Sequence, residues 1–112
     1  MKKTIVSFAD FQKLDLRVGE VKEALRVKES QHLISMTVDL GDDYGTVEIL
    51  AGLADFFKPE DLIGKKFVFV ANLEPKKMLN RQSNGMILVA EFDGQPMLIQ
   101  VHKKIPKGSI VR

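Results

Sequence analysis

The sequence predicts a small all-β barrel. Six or seven short runs of apolar or alternating residues, separated by turn residues, indicate strands, and only two short segments have helical features. Two of the runs are apolar on both faces, whereas the wall of a small barrel buries one face of each strand. We therefore expect a second subunit to cover part of this surface. The length of 112 residues fits one domain, taken as 1–112 with 1–7 as a lead-in.

The N-terminal region predicts a short helix followed by a bent strand. Ser7 is placed to cap the first turn of a helix over 7–14. In the following strand, Leu16 and Val18 share one face. The alternation slips after Gly19, which predicts a β-bulge at this glycine.

A β-hairpin over 33–51 is the clearest pattern in the chain. Alternate residues of its first strand are apolar and are expected to face the core: Ile34, Met36, Val38 and Leu40. A single helical turn is expected at 58–63, with Pro59 at its first position. Further strands are expected at 67–71, 85–92 and 97–101, with an additional edge strand within 105–112.

Composition and motifs argue against catalysis. The chain has no cysteine, so it has no thiolate metal site and no cysteine nucleophile. Its two histidines, His32 and His102, are far apart, and no metal-ligand spacing, phosphate-cradling glycine loop or G-x-S-x-G elbow occurs. We expect a non-catalytic protein without cofactor or metal. No run approaches the roughly 18 apolar residues of a membrane span, so we also expect a cytoplasmic location and no membrane partner.

The segment 71–86, between two apolar runs, carries the strongest functional signal. It lies in the basic half of the chain, because 57–112 contain 10 Lys and Arg against 5 Asp and Glu, whereas 1–56 contain 7 against 10. Cations suit phosphate oxygens, and amides and hydroxyls suit unpaired bases or sugars. A solvated loop explains the composition equally well. The polar residues concerned are Asn72, Lys76, Lys77, Asn80, Arg81, Gln82, Ser83 and Asn84.

Two apolar or flexible residues of the same segment have further expected roles. Met78 suits an apolar contact to a base, and equally suits a plug at the end of the barrel. Gly85 permits a tight return into the next strand.

The motif Asn72-Leu73-x-Pro75-x-Lys77-Met78, followed by Ser83-x-Gly85-Met86, resembles the signature of the tRNA-binding domain family. That family includes domains of methionyl-tRNA synthetases, free-standing dimeric tRNA-binding proteins and a chaperone-like bacterial protein. The stretches 11–21 and 38–41 match as well, and the resemblance covers about residues 8–112. This chain departs from the family at Glu74, where a Lys is frequent, and its loop lacks one Arg and one Gly of the common pattern. The exchange at Glu74 and the missing Arg lower the local positive charge.

The resemblance implies an OB-fold, a five-stranded barrel with a short N-terminal helix and extra C-terminal strands that form a dimer interface. It also implies general tRNA recognition by shape and phosphate contacts. The protein would act as a homodimer, alone or as the tRNA-binding or beta part of a methionyl-tRNA synthetase. The alternative is a chaperone-like module of the same fold that binds peptides or other proteins.

The RNA-binding residues come from two sources. The resemblance implies that RNA is bound by Asn72, Lys76, Lys77, Met78, Ser83 and Gly85. Chemistry and position add Arg81 and Asn84. Arg17 lies in a matched stretch and is included as a candidate, with a structural salt bridge as the equal alternative.

Overall fold

The structure, a computed structural model, describes all of residues 1–112 and confirms the all-β class. Helical structure is limited to one α-helical turn and one 3₁₀ turn, neither with the length or apolarity to cross a membrane. The α-turn is α1, Phe8–Phe11, and the 3₁₀ turn is Pro59–Asp61. The strands are β1 (Leu16–Arg26), β2 (Ile34–Asp39), β3 (Thr46–Ala51), β4 (Lys66–Val70), β5 (Lys76–Met78), β6 (Arg81–Ser83), β7 (Met86–Ile87), β8 (Val89–Phe92), β9 (Gln95–Leu98) and β10 (Ile110–Val111).

Five strands form a nearly closed antiparallel barrel. They follow the order β3-β2-β1-β4-β7, with the short β10 added to the start of β1. At the gap between β3 and β7, the backbone N–H of Asn84 donates to the Glu48 carbonyl oxygen over 2.9 Å. The pairs β5–β6 and β8–β9 form two hairpins outside this sheet. The five-stranded barrel implied by the sequence is therefore confirmed.

The bulge of β1 lies at Lys22, so its predicted location at Gly19 is wrong. The register between β1 and β2 shifts between Val21 and Glu23. Pairing with β4, in contrast, continues through Gly19, which lies opposite Phe67. Residues Glu20 and Val21 pair with β2 before the bulge and Glu23–Arg26 pair with it afterwards, while the pairing with β4 ends at Glu20.

The alternating pattern gave the wrong position for the bulge because Val18 is buried although it lies on the outer face of β1. The C-terminal segment lies beside it: the Val18 N–H donates to the Ser109 carbonyl at 2.9 Å, and its own carbonyl accepts from Gly108. Gly19 instead points into the barrel. A Cβ at Gly19 would lie 2.7 Å from side-chain atoms of Phe69 and Val38.

The core contains the side chains that the hairpin pattern selects. All four predicted inward residues of the first hairpin strand are fully buried: Ile34, Met36, Val38 and Leu40. Phe67 and Phe69 of β4 fill the centre, and Leu62, directly after the 3₁₀ turn, completes the cluster. The predicted helical turn therefore contributes an apolar side chain to the core.

The strand expected over 85–92 is divided at Leu88. β7 stays in the barrel, whereas β8 leaves it to pair with β9. The turn of this second hairpin uses Asp93 and Gly94, both with positive φ, as a two-residue hairpin turn requires. For this reason β9 begins at Gln95, two residues before the predicted strand 97–101.

The interior position of Gly19 can be tested by adding one methyl group. We expect Gly19→Ala to lower the free energy of unfolding by about 1–3 kcal/mol, because its Cβ would overlap the Phe69 ring. Urea denaturation followed by circular dichroism measures the change. The matched control is Gly52→Ala, where a Cβ meets nothing within 4 Å, and a change within about 0.5 kcal/mol is expected. Equal stability of the two variants would contradict the assignment.

Candidate nucleic-acid interface

The segment predicted as a functional loop folds into the ordered hairpin β5–β6. Its two turn residues, Leu79 and Asn80, both have left-handed φ values, 51° and 64°. Such a two-residue turn normally contains glycine. Because glycine is absent here, the sequence pattern did not predict the hairpin.

The hairpin places the predicted site residues on two different faces. The register pairs Lys76 with Ser83, Lys77 with Gln82, and Met78 with Arg81. Because side chains alternate along a strand, the Lys77–Gln82 pair faces away from the barrel, and the flanking pairs face toward it. The predicted residues therefore do not form a single flat surface.

A groove of about 850 Å³ lies beside the hairpin. The end of β3, β7, β8 and the hairpin surround it. Charged side chains at Glu74, Lys76 and Glu91 also line it. Its apolar lining is provided by Leu50, Leu53, Met78, Met86, Ile87 and Val89. The groove therefore combines apolar surface with three charged side chains, as pockets for small flat groups commonly do.

Ser83 has a structural role in the barrel, and its RNA contact stays a prediction. Its side chain is buried, accepts a hydrogen bond from the Leu50 N–H at 3.0 Å and donates to the Gly85 carbonyl at 3.4 Å. This bond joins β6 to the otherwise open edge of β3. A direct contact with RNA would remove the partner of a buried backbone donor.

Asn84 and Gly85 also close the barrel. The Asn84 side chain contacts Gln82, and its backbone N–H bridges to β3 as described above. Gly85 has φ 132°, and a Cβ there would lie 2.9 Å from the Val70 carbonyl oxygen. Both residues hold the hairpin on the barrel, and their RNA contacts stay a prediction.

Asn72 connects the N-terminal helix to the end of β4. Its side-chain oxygen accepts from the Asp15 N–H at 2.8 Å, and its side-chain nitrogen donates to the Lys13 carbonyl at 2.7 Å. These two bonds give Asn72 a positioning role and leave one N–H and one oxygen lone pair unused, and its RNA contact stays a prediction.

Arg17 forms a structural salt bridge, which is the alternative that the sequence left open. Its side chain is only 11% exposed and donates to the carboxylates of Asp15, at 2.7 Å, and Asp43, at 2.9 Å. The hydroxyl of Tyr44 donates to Asp15, and the guanidinium lies 5.4 Å from the Tyr44 ring centre. Hydrogen bonding from Arg17, with a smaller contribution from Tyr44, lowers the pKa of Asp15. Four of its hydrogen bonds are made within the protein, and an RNA contact by Arg17 stays a prediction.

Arg81 is tied to β3 by Glu48. Its guanidinium lies 2.7 Å from a Glu48 carboxylate oxygen, which also accepts a hydrogen bond from Ser35. The Ser35 hydrogen bond, followed by Arg81, lowers the pKa of Glu48. Lys76 and Lys77, in contrast, have no carboxylate oxygen within 4.0 Å. They are therefore the hairpin cations whose charge is not compensated by a salt bridge.

The barrel and the groove define a class of protein. A nearly closed five-stranded barrel with a cationic hairpin beside an apolar groove has the organisation of a small OB-like binding module. The family described as "Putative tRNA binding domain" matches residues 16–110. The chain belongs to this tRNA-binding domain family.

Methionine–tRNA ligases are among its relatives. The enzyme of Methanothrix thermoacetophila is 42% identical over 111 residues, which cover 99% of this chain and 16% of the ligase. The enzyme of Clostridium acetobutylicum is 46% identical over 109 residues, which cover 96% of this chain and 17% of the ligase. The chain thus spans about a sixth of the ligases that it matches.

Solved structures of similar proteins have the same fold. The MetRS related protein from Pyrococcus horikoshii has a TM-score of 0.92 and 39% identity, covering 98% of this chain and 100% of that one. The chaperone CsaA of Bacillus anthracis has a TM-score of 0.86 and 30% identity, covering 97% of this chain and 100% of its own. The recognition of the family from sequence motifs is therefore confirmed.

The sequence did not indicate the groove residues Leu50, Leu53 and Glu91. Their apolar or acidic character is ordinary, and only the fold brings them together. The run 85–92, apolar on both faces, contained a partial signal, because Ile87 packs into the core and Val89 also lines the groove.

The contact between Glu48 and Arg81 makes part of the stability depend on pH. Because the folded pKa of Glu48 is lowered, its stabilising contribution is present above the ordinary pKa of 4.5 and is lost as the pH falls through the folded value. We expect Glu48→Gln to reduce the free energy of unfolding at pH 7 by about 0.5 kcal/mol, a small amount because both side chains are partly exposed.

Urea denaturation between about pH 3 and pH 7 measures this difference, which should disappear at the acidic end. Glu29→Gln is the control, because Glu29 is exposed and forms no salt bridge. If the wild type and Glu48→Gln differ equally at every pH, the carboxylate charge is not responsible.

Proposed function

We propose that this chain is a non-catalytic tRNA-binding module that recognises tRNA by its shape and phosphates. The observation that carries the proposal is the pair Lys76 and Lys77, which have no carboxylate partner and lie on an ordered hairpin beside an apolar groove. Ammonium groups of this kind attract phosphate oxygens, and release of counterions drives the association. Membership of the tRNA-binding domain family identifies the kind of nucleic acid.

We propose that RNA contacts fewer residues than the sequence predicted. Lys77 projects outward toward the RNA backbone, and Lys76 and Met78 line the groove, where an unpaired base has apolar surface to contact. Arg81 contributes a guanidinium that exchanges its contact with Glu48 for a phosphate. Among the other candidates, Ser83, Asn84 and Gly85 hold the hairpin on the barrel, whereas Asn72 and Arg17 fix the segment that follows the N-terminal helix.

The module acts in the cytoplasm, alone or with a methionyl-tRNA synthetase. Its similarity to about a sixth of each methionine–tRNA ligase supports this role. Linked binding of this kind raises the effective concentration of tRNA near a partner.

The module acts as a homodimer. Several large apolar side chains of the terminal elements are exposed in the single chain: Ile5, Phe8, Phe92, Met97, Ile99 and Ile110. The register of β8–β9 puts Phe92 and Met97 on the same outer face, while Val89 and Leu98 pack against the core. A second copy that covers these side chains removes apolar surface from water.

Peptide binding is the second candidate function. The apolar groove and the similarity to the chaperone CsaA support it. An extended peptide would fill the groove with alternate side chains. Titration with an unfolded polypeptide in parallel with tRNA separates the two functions, and binding of polypeptide without any tRNA signal would reverse their order.

The phosphate contact predicts a specific change in salt dependence. Removing two cations by Lys76→Ala with Lys77→Ala should reduce the slope of log affinity for bulk tRNA against log salt by about one to two units. Fluorescence titration at several salt concentrations measures the slope.

The control carries the same change of net charge, Lys2→Ala with Lys3→Ala, in the exposed lead-in. A wild-type slope for the hairpin variant would show that tRNA is bound elsewhere. An equal reduction in the control would show that only the net charge matters.

The homodimer predicts a mass of about 25 kDa by light scattering, twice the 12.6 kDa of one chain. We expect Phe92→Lys to give the mass of the single chain, because a charge would replace a side chain that the partner buries. Leu25→Lys is the control, since Leu25 on β1 is 69% exposed and Phe92 is 67% exposed. A wild type of 12.6 kDa at micromolar concentration would exclude the dimer.

A further inference from the structure

A second group of cations lies at the opposite end of β4 from the hairpin. Lys65 and Lys66 lie at the start of this strand, and the turn His102–Ile105, here called the basic turn, packs beside them. The turn itself contributes Lys103 and Lys104. The proposed tRNA contact at the hairpin uses none of these residues.

The basic turn is held by a set of specific hydrogen bonds. The Val101 N–H donates to the Lys66 carbonyl at 2.9 Å, and the Ile105 N–H donates to the His102 carbonyl at 3.0 Å. The Lys104 N–H donates to Nδ1 of His102 at 3.1 Å. With Nδ1 acting as an acceptor, the His102 ring carries its proton on Nε2 and has a donor left for a ligand.

Lys66 contributes the contacts that fix the turn to the barrel. Its ammonium donates to the backbone carbonyls of Lys103, at 3.0 Å, and Ile105, at 2.9 Å. The positive charge of Lys66 is thereby held against the basic turn, which contains Lys103 and Lys104. Ordering these side chains near each other is electrostatically unfavourable in the absence of an anion.

No carboxylate compensates this concentration of charge. Lys65, Lys66, Lys103 and Lys104 have no carboxylate oxygen within 4.0 Å. Glu20 lies opposite Lys66 in the β1–β4 register, but the cation that its carboxylate approaches is Lys22, at 3.9 Å. The neighbouring Lys107, in contrast, is paired with Asp39 at 2.6 Å.

We propose that the basic turn is a second phosphate-binding site for the same RNA. Lys103 and Lys104 present exposed ammonium groups, and His102 adds a neutral N–H donor, which together suit the oxygens of a nucleic-acid backbone. The inference rests on the proposed tRNA-binding function and extends it to a surface remote from the hairpin.

The two sites are too far apart for one phosphate. β4 has five residues, about 16 Å at roughly 3.3 Å per residue, and the chain continues beyond it before the hairpin begins. A nucleic-acid strand that advances about 3.4 Å per phosphate needs about five nucleotides to cover that distance. A longer folded RNA therefore reaches both sites, whereas a trinucleotide occupies one.

The test is the double variant Lys103→Ala with Lys104→Ala, in which Lys66 is kept because it anchors the turn. For bulk tRNA, the slope of log affinity against log salt should fall by about one to two units. Adding the hairpin substitutions Lys76→Ala and Lys77→Ala should reduce it further by a similar amount, because the two sites are separate. A trinucleotide should show a smaller loss than tRNA when both pairs are replaced.

Two results would overturn the proposal. The first is a wild-type slope for Lys103→Ala with Lys104→Ala while the wild type binds tRNA normally, which leaves the tRNA-binding function intact. The second is an equal loss in Lys2→Ala with Lys3→Ala, which would indicate net charge alone. If the wild type fails to bind tRNA, the proposed function fails, and the second site fails with it. Unchanged thermal unfolding of each variant confirms that the fold is retained.

Discussion

Strand β1 is the element on which the rest of the structure depends, because it hydrogen-bonds to β4, β2 and β10. β1 pairs with β4 through Leu16–Glu20 and with β2 through Glu20–Arg26, and the extra residue at Lys22 bends it within the stretch that pairs with β2. The missing side chain at Gly19 leaves room for the Phe69 ring inside the bend. The barrel closes around this strand, and its closure brings the β3 edge under the hairpin.

The division between structural and free cations follows from the same framework. Arg17 meets the carboxylate of Asp43 from another turn, so its charge holds elements together, whereas Arg81 meets Glu48 in the free chain and exchanges this contact for a phosphate in the proposed complex. The lysines of the hairpin and of the basic turn extend from ordered backbone with no such partner. A salt bridge such as that of Arg17 stabilises the fold, and the lysines without a salt bridge are the ones we propose to contact RNA phosphates. Residue type alone does not separate these two uses.

The sequence predicted the structure correctly where neighbouring residues alone determine which side chains are buried. It failed where a residue is buried or hydrogen-bonded by a segment distant in the chain. The 33–51 hairpin was predictable, because alternate residues report directly which side faces the core. Val18 broke the pattern at β1, since it is buried outside the core cluster, beside a segment about 90 residues later in the chain. Ser83 and Asn72 matched the family motif correctly, but the spacing of that motif cannot reveal that their partners are backbone groups of Leu50 and Asp15. The hairpin turn lacked its usual glycine and was therefore not predicted.

Tyr44 gives the molecule its own optical reporter. It is the only tyrosine, and the chain has no tryptophan, so the tyrosine fluorescence of the protein originates from this one ring. Its hydroxyl donates to Asp15, and Arg17 lies against its face, where the N-terminal helix, the β2–β3 turn and the C-terminal segment meet. The fluorescence of the unmodified protein thus reports whether its N-terminal and C-terminal segments are packed against the β2–β3 turn.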